Sequence, residues 1–139
     1  MANKEIDIAD FFTTDNEVNG VWYEPKPYGK PTGIEFKLLG ISSDVTVTAS
    51  EQYDKEMDLA KKETDVVKRD KLETEALVRR VGAMVVDIRG KDGVVPMING
   101  KPLTYTRENV EVILRGSRAI RNEFLKVIGS GEDFMTKKH

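Results

Sequence analysis

Apolar residues occupy alternate positions in two short segments of the first half of the chain. They fall at every second residue in 34–38 and again, with threonines between them, in 44–49. Alternation with a period of two is typical of a strand with one buried face. A third apolar run, 21–24, ends at a turn rich in proline and glycine. The pattern therefore predicts a three-stranded antiparallel meander within residues 20–49.

From Ser50 onward the apolar spacing becomes that of helices. Ser50 is a good N-cap, and an apolar stripe from Leu72 onward recurs at three- and four-residue intervals. The charged, valine-containing stretch near Thr64 indicates a break between two helices. We expect four residues of the stripe to lie in the core: Leu77, Val81, Met84 and Ile88.

The end of that stripe has two interpretations. The run 81–88 is rich in β-branched residues and would also suit a buried strand. We favour a helix because the stripe continues unbroken from Leu72, with Gly90 in the position expected just after a helix C-terminus.

The last third of the chain predicts a tight turn and two helices. Asn99-Gly100 suits a turn with positive φ, Thr106 and Ser117 are helix N-caps, and Gly129 ends the second helix. The fold class is therefore α+β, with a small N-terminal antiparallel β-meander followed by a mainly helical region.

The organisation along the chain is that of one domain. We expect a flexible N-terminal arm (1–19), a single α+β domain (20–129, with strands in about 20–49 and helices in about 50–129), and a mobile C-terminal tail (130–139). The apolar cluster of the arm, which includes Phe11 and Phe12, is typical of a segment that docks on another surface.

The composition of the chain excludes several kinds of functional site. The chain of 139 residues has no cysteine, and its single histidine is the last residue, His139. Disulfides and thiolate metal sites are excluded, and a Ser-His-Asp triad is nearly so. No apolar run approaches the length of a membrane span, and the N-terminus lacks the apolar region of a signal peptide. We expect a soluble, intracellular protein without a metal or cofactor.

The acidic residues do not form a catalytic pattern. Glu51, Asp54 and Asp58 share a helix face, but lysines are interleaved with them, which favours a solvated surface. Segment 87–93 resembles a calcium loop, yet basic residues stand where ligands would be needed. Nucleotide-binding, zinc-protease and serine-hydrolase motifs are missing from the sequence. We therefore predict that the chain is not an enzyme.

A short basic series is the only feature that suggests nucleic acid. Arg115, Arg118 and Arg121 recur at three-residue intervals, with Lys126 further along. No aromatic residues are interleaved with them, and neighbouring glutamates dilute the charge. A nucleic-acid-binding regulator therefore stays the weaker alternative, and we expect no nucleic-acid partner.

A series of turn, cap and aromatic residues between positions 18 and 137 resembles a known protein family. It includes an early tryptophan, a turn with acidic residues and glycines, a Gly-Lys-Pro step, a threonine-capped helix and two late phenylalanines. The positions are Trp22, Asp87, Gly90, Asp92, Gly93, Gly100, Lys101, Pro102, Thr106, Glu108, Asn109, Phe124 and Phe134. The series is similar to that of the tail assembly chaperones of long-tailed bacteriophages, although Ile88 stands where that family usually has tryptophan.

The resemblance implies a role in assembly. Such a chaperone binds and solubilises the tape-measure protein, helps to recruit tail-tube subunits, works in the host cytoplasm and is absent from the mature virion. Self-association is left open, and the alternative is a structural tail or head–tail protein that stays in the virion. Short helices seldom bury all their large apolar residues, so we expect the partner-binding surface at Ile120, Phe124, Ile128 and Phe134.

Overall fold

A three-stranded antiparallel sheet organises the molecule. The computed structural model describes residues 4–136. Strands β1 (Val21–Tyr23), β2 (Ile34–Leu38) and β3 (Val85–Gly90) lie side by side in sequence order, each antiparallel to its neighbour. With the helices described next, this arrangement confirms the α+β class.

Helices make up most of the remaining structure. They are α1 (Thr14–Asn19), α2 (Asp44–Ala60), α3 (Val66–Met84), α4 (Arg107–Gly116) and α5 (Arg118–Ser130). A small hairpin joins β4 (Met97–Ile98) to β5 (Lys101–Pro102), and 3-10 turns cover Ile8–Phe11, Pro27–Gly29 and Glu132–Phe134. No helix among residues 4–136 is long and apolar enough to cross a membrane.

The third strand of the predicted meander is wrong, because residues 44–49 form the first turns of α2. Ser43, and not Ser50, is the N-cap, and its Oγ accepts a hydrogen bond from the backbone N–H of Val45 at 3.2 Å. In the helix, Thr46 is buried whereas Val45 and Val47 are exposed. The alternating valines therefore do not mark one buried face.

The predicted helical end of the apolar stripe is also wrong. The helix stops at Met84, and residues 85–90 pair with β2 as the third strand of the sheet, with Ile88 opposite Phe36. The β-branched residues of this run suit a pleated, half-buried strand. Residues 85–90 form a strand because they pair with the free edge of β2. A pattern of neighbouring residues does not reveal this pairing, since β2 is distant in sequence.

One apolar core joins the sheet to α3, α4 and α5. Of the four residues expected there, Val81 and Met84 are fully buried, while Leu77 and Ile88 are partly buried against the core. The core consists of Phe36, Leu38, Val78, Val81, Met84, Val85, Val110, Leu114, Phe124, Val127, Ile128 and Phe134.

The predicted N-caps, break and turn are confirmed, but the predicted helix end at Gly129 is wrong, because α5 continues to Ser130 and ends at Gly131, which has a left-handed conformation. Thr106 Oγ1 accepts from the N–H of Asn109 at 3.0 Å, and Ser117 Oγ accepts from that of Ile120 at 3.1 Å. The expected break near Thr64 falls between α2 and α3. Asn99 and Gly100 have φ of 49° and 79° in the β4–β5 turn.

Residues near both ends of the described range pack against the domain, while the flexible arm and the mobile tail stay predictions. Glu17 in α1 is buried, and Phe134 lies in the core. The side-chain amide of Asn16 donates to the carbonyl of Phe134 at 2.9 Å, and the N–H of Thr136 donates to that of Phe12 at 3.0 Å. The first residues of the predicted arm (1–3) and the last residues of the predicted tail (137–139) lie outside the described residues.

Candidate functional site

Helices α2 and α3 enclose a groove of about 460 Å³ on the surface of the molecule. Its walls are mainly carbon, and its apolar lining residues are Val45, Ala49, Tyr53, Ala76 and Ala83. We call it the α2–α3 groove. Because α2 packs mainly against α3 and buries only Thr46 and Ala60, much of its surface faces solvent.

Helical spacing and small residues create this groove. Val45, Ala49 and Tyr53 follow one another at four-residue intervals, so they share one face of α2. Ala76 and Ala83 lie two helical turns apart on the facing side of α3. Alanine side chains leave space between the helix backbones that larger residues would fill.

Arginines form much of the rim. Arg79 makes two hydrogen bonds of 3.1 Å to the Glu56 carboxylate, which tie α3 to α2. Arg107 pairs with Glu111 at 2.8 Å and donates to the carbonyl of Arg79 at 2.9 Å. A Cβ at Gly82 would lie 3.1 Å from Arg107 Nε, so this glycine leaves room for the arginine to cross α3.

A third arginine, Arg80, lies on the ring of Tyr53. Its Cζ is 4.9 Å from the ring centre, a distance at which a cation is attracted to an aromatic face. Its Nε is buried and has no hydrogen-bond partner among the described residues. The wall of the groove therefore combines an aromatic surface with a positive charge.

The structure places three of the four predicted partner-binding residues in the core, which corrects that prediction. Phe124 and Phe134 are 0% exposed, and Ile128 is also buried. The ring of Phe124 packs against Phe36 with a centroid separation of 5.1 Å. The cause is that the inner face of the sheet and the C-terminal turn cover α5.

Ile120 is the exception. It is partly buried and lines a separate apolar cavity of about 150 Å³ near the β4–β5 hairpin. Ile120 therefore lines a cavity, whereas the other three predicted residues belong to the core. None of the four lines the α2–α3 groove.

The predicted basic series does not form a common exposed ridge. Arg115 is paired with Glu75 at 2.7 Å, and this hydrogen bond lowers the pKa of the Glu75 carboxyl. Arg121 is buried, and its guanidinium donates to the carbonyl of Leu114 at 2.7 Å. Two of the three arginines therefore hold helices together.

A second cavity, of about 430 Å³, contains Tyr23 and Glu123. The Tyr23 hydroxyl donates to Glu123 Oε1 at 2.8 Å, and the backbone N–H of Lys26 donates to the same oxygen at 2.8 Å. Burial, followed by this hydrogen bond, raises the pKa of Tyr23. We interpret Glu123 as an anchor for the segment after β1.

Within residues 4–136, no group of three or more His, Cys, Asp or Glu is placed to hold a metal ion.

The sequence pattern predicts Ser50 as the N-cap of α2, and for that reason it does not indicate the groove. With Ser43 as the cap, the four-residue spacing of Val45, Ala49 and Tyr53 would have indicated a common helix face. This helical spacing covers only three residues, and the alternation of valine and threonine in 45–48 favours a strand instead.

The chain matches no protein-family model, no curated protein and no solved structure. Its function is therefore inferred from the residues and the geometry of the groove, together with the resemblance in the order of its turn and cap residues.

Proposed function

We propose that this protein is a non-enzymatic tail assembly chaperone of a long-tailed phage, and that its α2–α3 groove binds an amphipathic helix of the tape-measure protein. The observation that carries the proposal is the open, carbon-walled groove between two helices with a charged rim. Laying the apolar face of a helix into such a groove is a common mode of peptide recognition.

The length of the groove suits a helical ligand. Its lining on α2 runs from Asp44 to Glu56, which at 1.5 Å per residue is about 18 Å, or roughly three helical turns. A ligand helix would therefore place about three or four apolar side chains in the groove, at i, i+3 or i+4, and i+7.

Modest affinity at each site is what a chaperone of a long filament needs. Many copies that each bind one short segment cover the apolar stripes of the filament, and each can be displaced separately when tube subunits polymerise. In this proposal the protein also helps to recruit the tail-tube protein, acts in the host cytoplasm and leaves before the virion is complete.

The experiment is co-expression with the tape-measure protein of the same phage. The wild-type chain should keep the tape-measure protein in the soluble fraction, and Val45→Asp should lose that effect because it places a carboxylate in the carbon-walled groove. Val47→Asp is a matched control: Val47 is on the same helix and 48% exposed like Val45, but it does not line the groove. Circular dichroism verifies that both variants fold.

Two results would contradict the proposal. If the tape-measure protein precipitates equally with and without this chain, a structural role in the virion becomes the better account. If Val45→Asp and Val47→Asp solubilise it equally well, the groove is not the binding site.

A further inference from the structure

The three-stranded sheet has one long unpaired edge, which belongs to β3. The strand order leaves β1 and β3 at the two edges, but β1 has only three residues whereas β3 has six. No backbone hydrogen bond joins residues 86–90 to any described segment other than β2. An edge strand with unpaired backbone groups is a template for a further strand, including one from a second copy of the same chain.

The register shows which backbone groups of β3 point away from β2. The N–H of Lys91 donates to the carbonyl of Gly33 at 2.9 Å, so these two residues form a hydrogen-bonded pair. In an antiparallel ladder such pairs alternate with pairs that share no hydrogen bond. Ile88 lies three residues before Lys91 and opposite Phe36, so it belongs to a pair of the second kind. Its N–H and C=O therefore point to the outer edge of the sheet.

Two side chains occupy hydrogen-bonding groups of this edge. Asp87 Oδ1 accepts from the N–H of Ile88 at 2.8 Å. At the start of the strand, the Tyr105 hydroxyl donates to the carbonyl of Val85 at 3.1 Å. Asp87 is exposed and Tyr105 is 42% exposed, so both side chains lie at the surface that a further strand would meet.

We infer that the side chains of Asp87 and Tyr105 block the addition of a strand to the edge of β3, and thereby prevent a second copy of this chain from extending the sheet. Strand addition requires the backbone groups of the edge to bond the backbone of the incoming strand. In this chain the N–H of Ile88 and the carbonyl of Val85 are already bonded to side chains.

A second copy is the strand that this device excludes. Two β3 strands in opposite directions present the same groups to each other, so their pairing closes a twofold contact without any other partner. The inference goes beyond the proposed function and makes no use of the α2–α3 groove.

Sedimentation velocity compares the wild-type chain with Asp87→Ala/Tyr105→Phe. The alanine removes the acceptor for the N–H of Ile88, and the phenylalanine keeps the ring and removes only the hydroxyl, so the variant should fold, which circular dichroism verifies. Between about 10 µM and 1 mM, the average mass of the variant should rise from 15.7 kDa toward twice that value, with association at least about tenfold stronger than that of the wild type. Equal association of the two proteins throughout this range overturns the inference.

Amide hydrogen exchange locates the contact. In the associated double variant the N–H of Ile88 should be bonded to the backbone of the second copy, so it should exchange more slowly than in a dilute, monomeric sample of the same variant. Slower exchange confined to residues outside β3 would place the association on another surface and contradict the inference.

Asp87→Asn/Tyr105→Phe separates the hydrogen bond from the charge. Asparagine removes the negative charge but keeps a side-chain oxygen that accepts from the N–H of Ile88. This variant should therefore associate at least about tenfold more weakly than the one with alanine. Equal association of the two would mean that charge repulsion, and not the occupied N–H, keeps the copies apart.

Asp58→Ala/Tyr28→Phe is the matched control. It removes the same two chemical groups from residues outside the edge, of which Asp58 is exposed in α2 and Tyr28 is 90% exposed. The control should behave like the wild type. If it associates as strongly as Asp87→Ala/Tyr105→Phe, the loss of a carboxylate and a hydroxyl anywhere on the surface is sufficient, and the inference fails. No tape-measure protein is present in these experiments, so their outcome is independent of the proposed function.

Discussion

At the scale of single residues, two glycines permit backbone approaches on which the fold depends. A Cβ on Gly90 would overlap the carbonyl oxygen of Val94, where the chain turns back after β3. A Cβ on Gly40 would overlap the side chain of Glu17, whose carboxylate is buried and accepts from Thr13 Oγ1 at 2.8 Å. Both glycines therefore serve packing, since neither has a positive φ.

Gly90→Ala should destabilise the protein. The added methyl group meets backbone rather than a flexible side chain, so the turn after β3 must shift, at a cost of roughly 1–3 kcal/mol in the free energy of unfolding. Urea unfolding followed by circular dichroism measures the change. At Gly116 a Cβ would meet nothing within 4 Å, so Gly116→Ala should be neutral or stabilise by up to about 1 kcal/mol. Equal stability of the two variants would contradict the close approach at Gly90.

At the scale of elements, the sequence predicts a helix correctly where an N-cap residue is followed by an amphipathic stripe. Helices α4 and α5 begin after Thr106 and Ser117 as predicted, because each hydroxyl accepts from a helix N–H. The sequence does not decide the secondary structure of the runs 44–49 and 85–90, whose β-branched residues suit a strand or a short helical segment. For 85–90 the decision comes from pairing with β2, a contact between residues some fifty positions apart.

The candidate site was less predictable than the fold. Phe124 and Ile128 stand on an amphipathic helix whose apolar face is evident from spacing, but spacing does not reveal whether that face meets the core or a partner. The sheet and α3 supply the covering surface, and they are distant in sequence. The groove depends on how α2 and α3 are arranged, so its residues form a site only when the two helices pack against each other.

The start of α2 can be tested with two serines. Ser43→Ala removes the oxygen that accepts from the N–H of Val45 and should lower the free energy of unfolding by about 1 kcal/mol. Ser50→Ala lies inside the helix, where alanine has the higher propensity, so it should leave stability unchanged or raise it by a few tenths of a kcal/mol. Chemical denaturation of both variants gives the comparison. The reverse order of effects would place the cap at Ser50 and restore a strand before it.

At the scale of the whole molecule, residues near the two ends of the described range are joined through one small region. Phe134 is buried in the core, and its carbonyl accepts from the side chain of Asn16 in α1. The backbone N–H of Thr136 in turn donates to the carbonyl of Phe12. The C-terminal turn therefore holds the backbone at Phe12 in place, which links core packing at Phe134 to the start of the described chain.

Phe134→Ala should be among the most destabilising single changes in this chain. It removes a phenyl ring with 0% exposure from a core shared with Phe124, and such truncations cost about 3–5 kcal/mol. Thr136→Ala is the control: it removes only a hydroxyl that donates to the carbonyl of Phe12, an exposed hydrogen bond worth about 1 kcal/mol or less. Equilibrium unfolding in urea measures both. A loss below about 1 kcal/mol for Phe134→Ala would mean that the ring leaves the core at little cost, and the C-terminal turn would then be free to act as the predicted mobile tail.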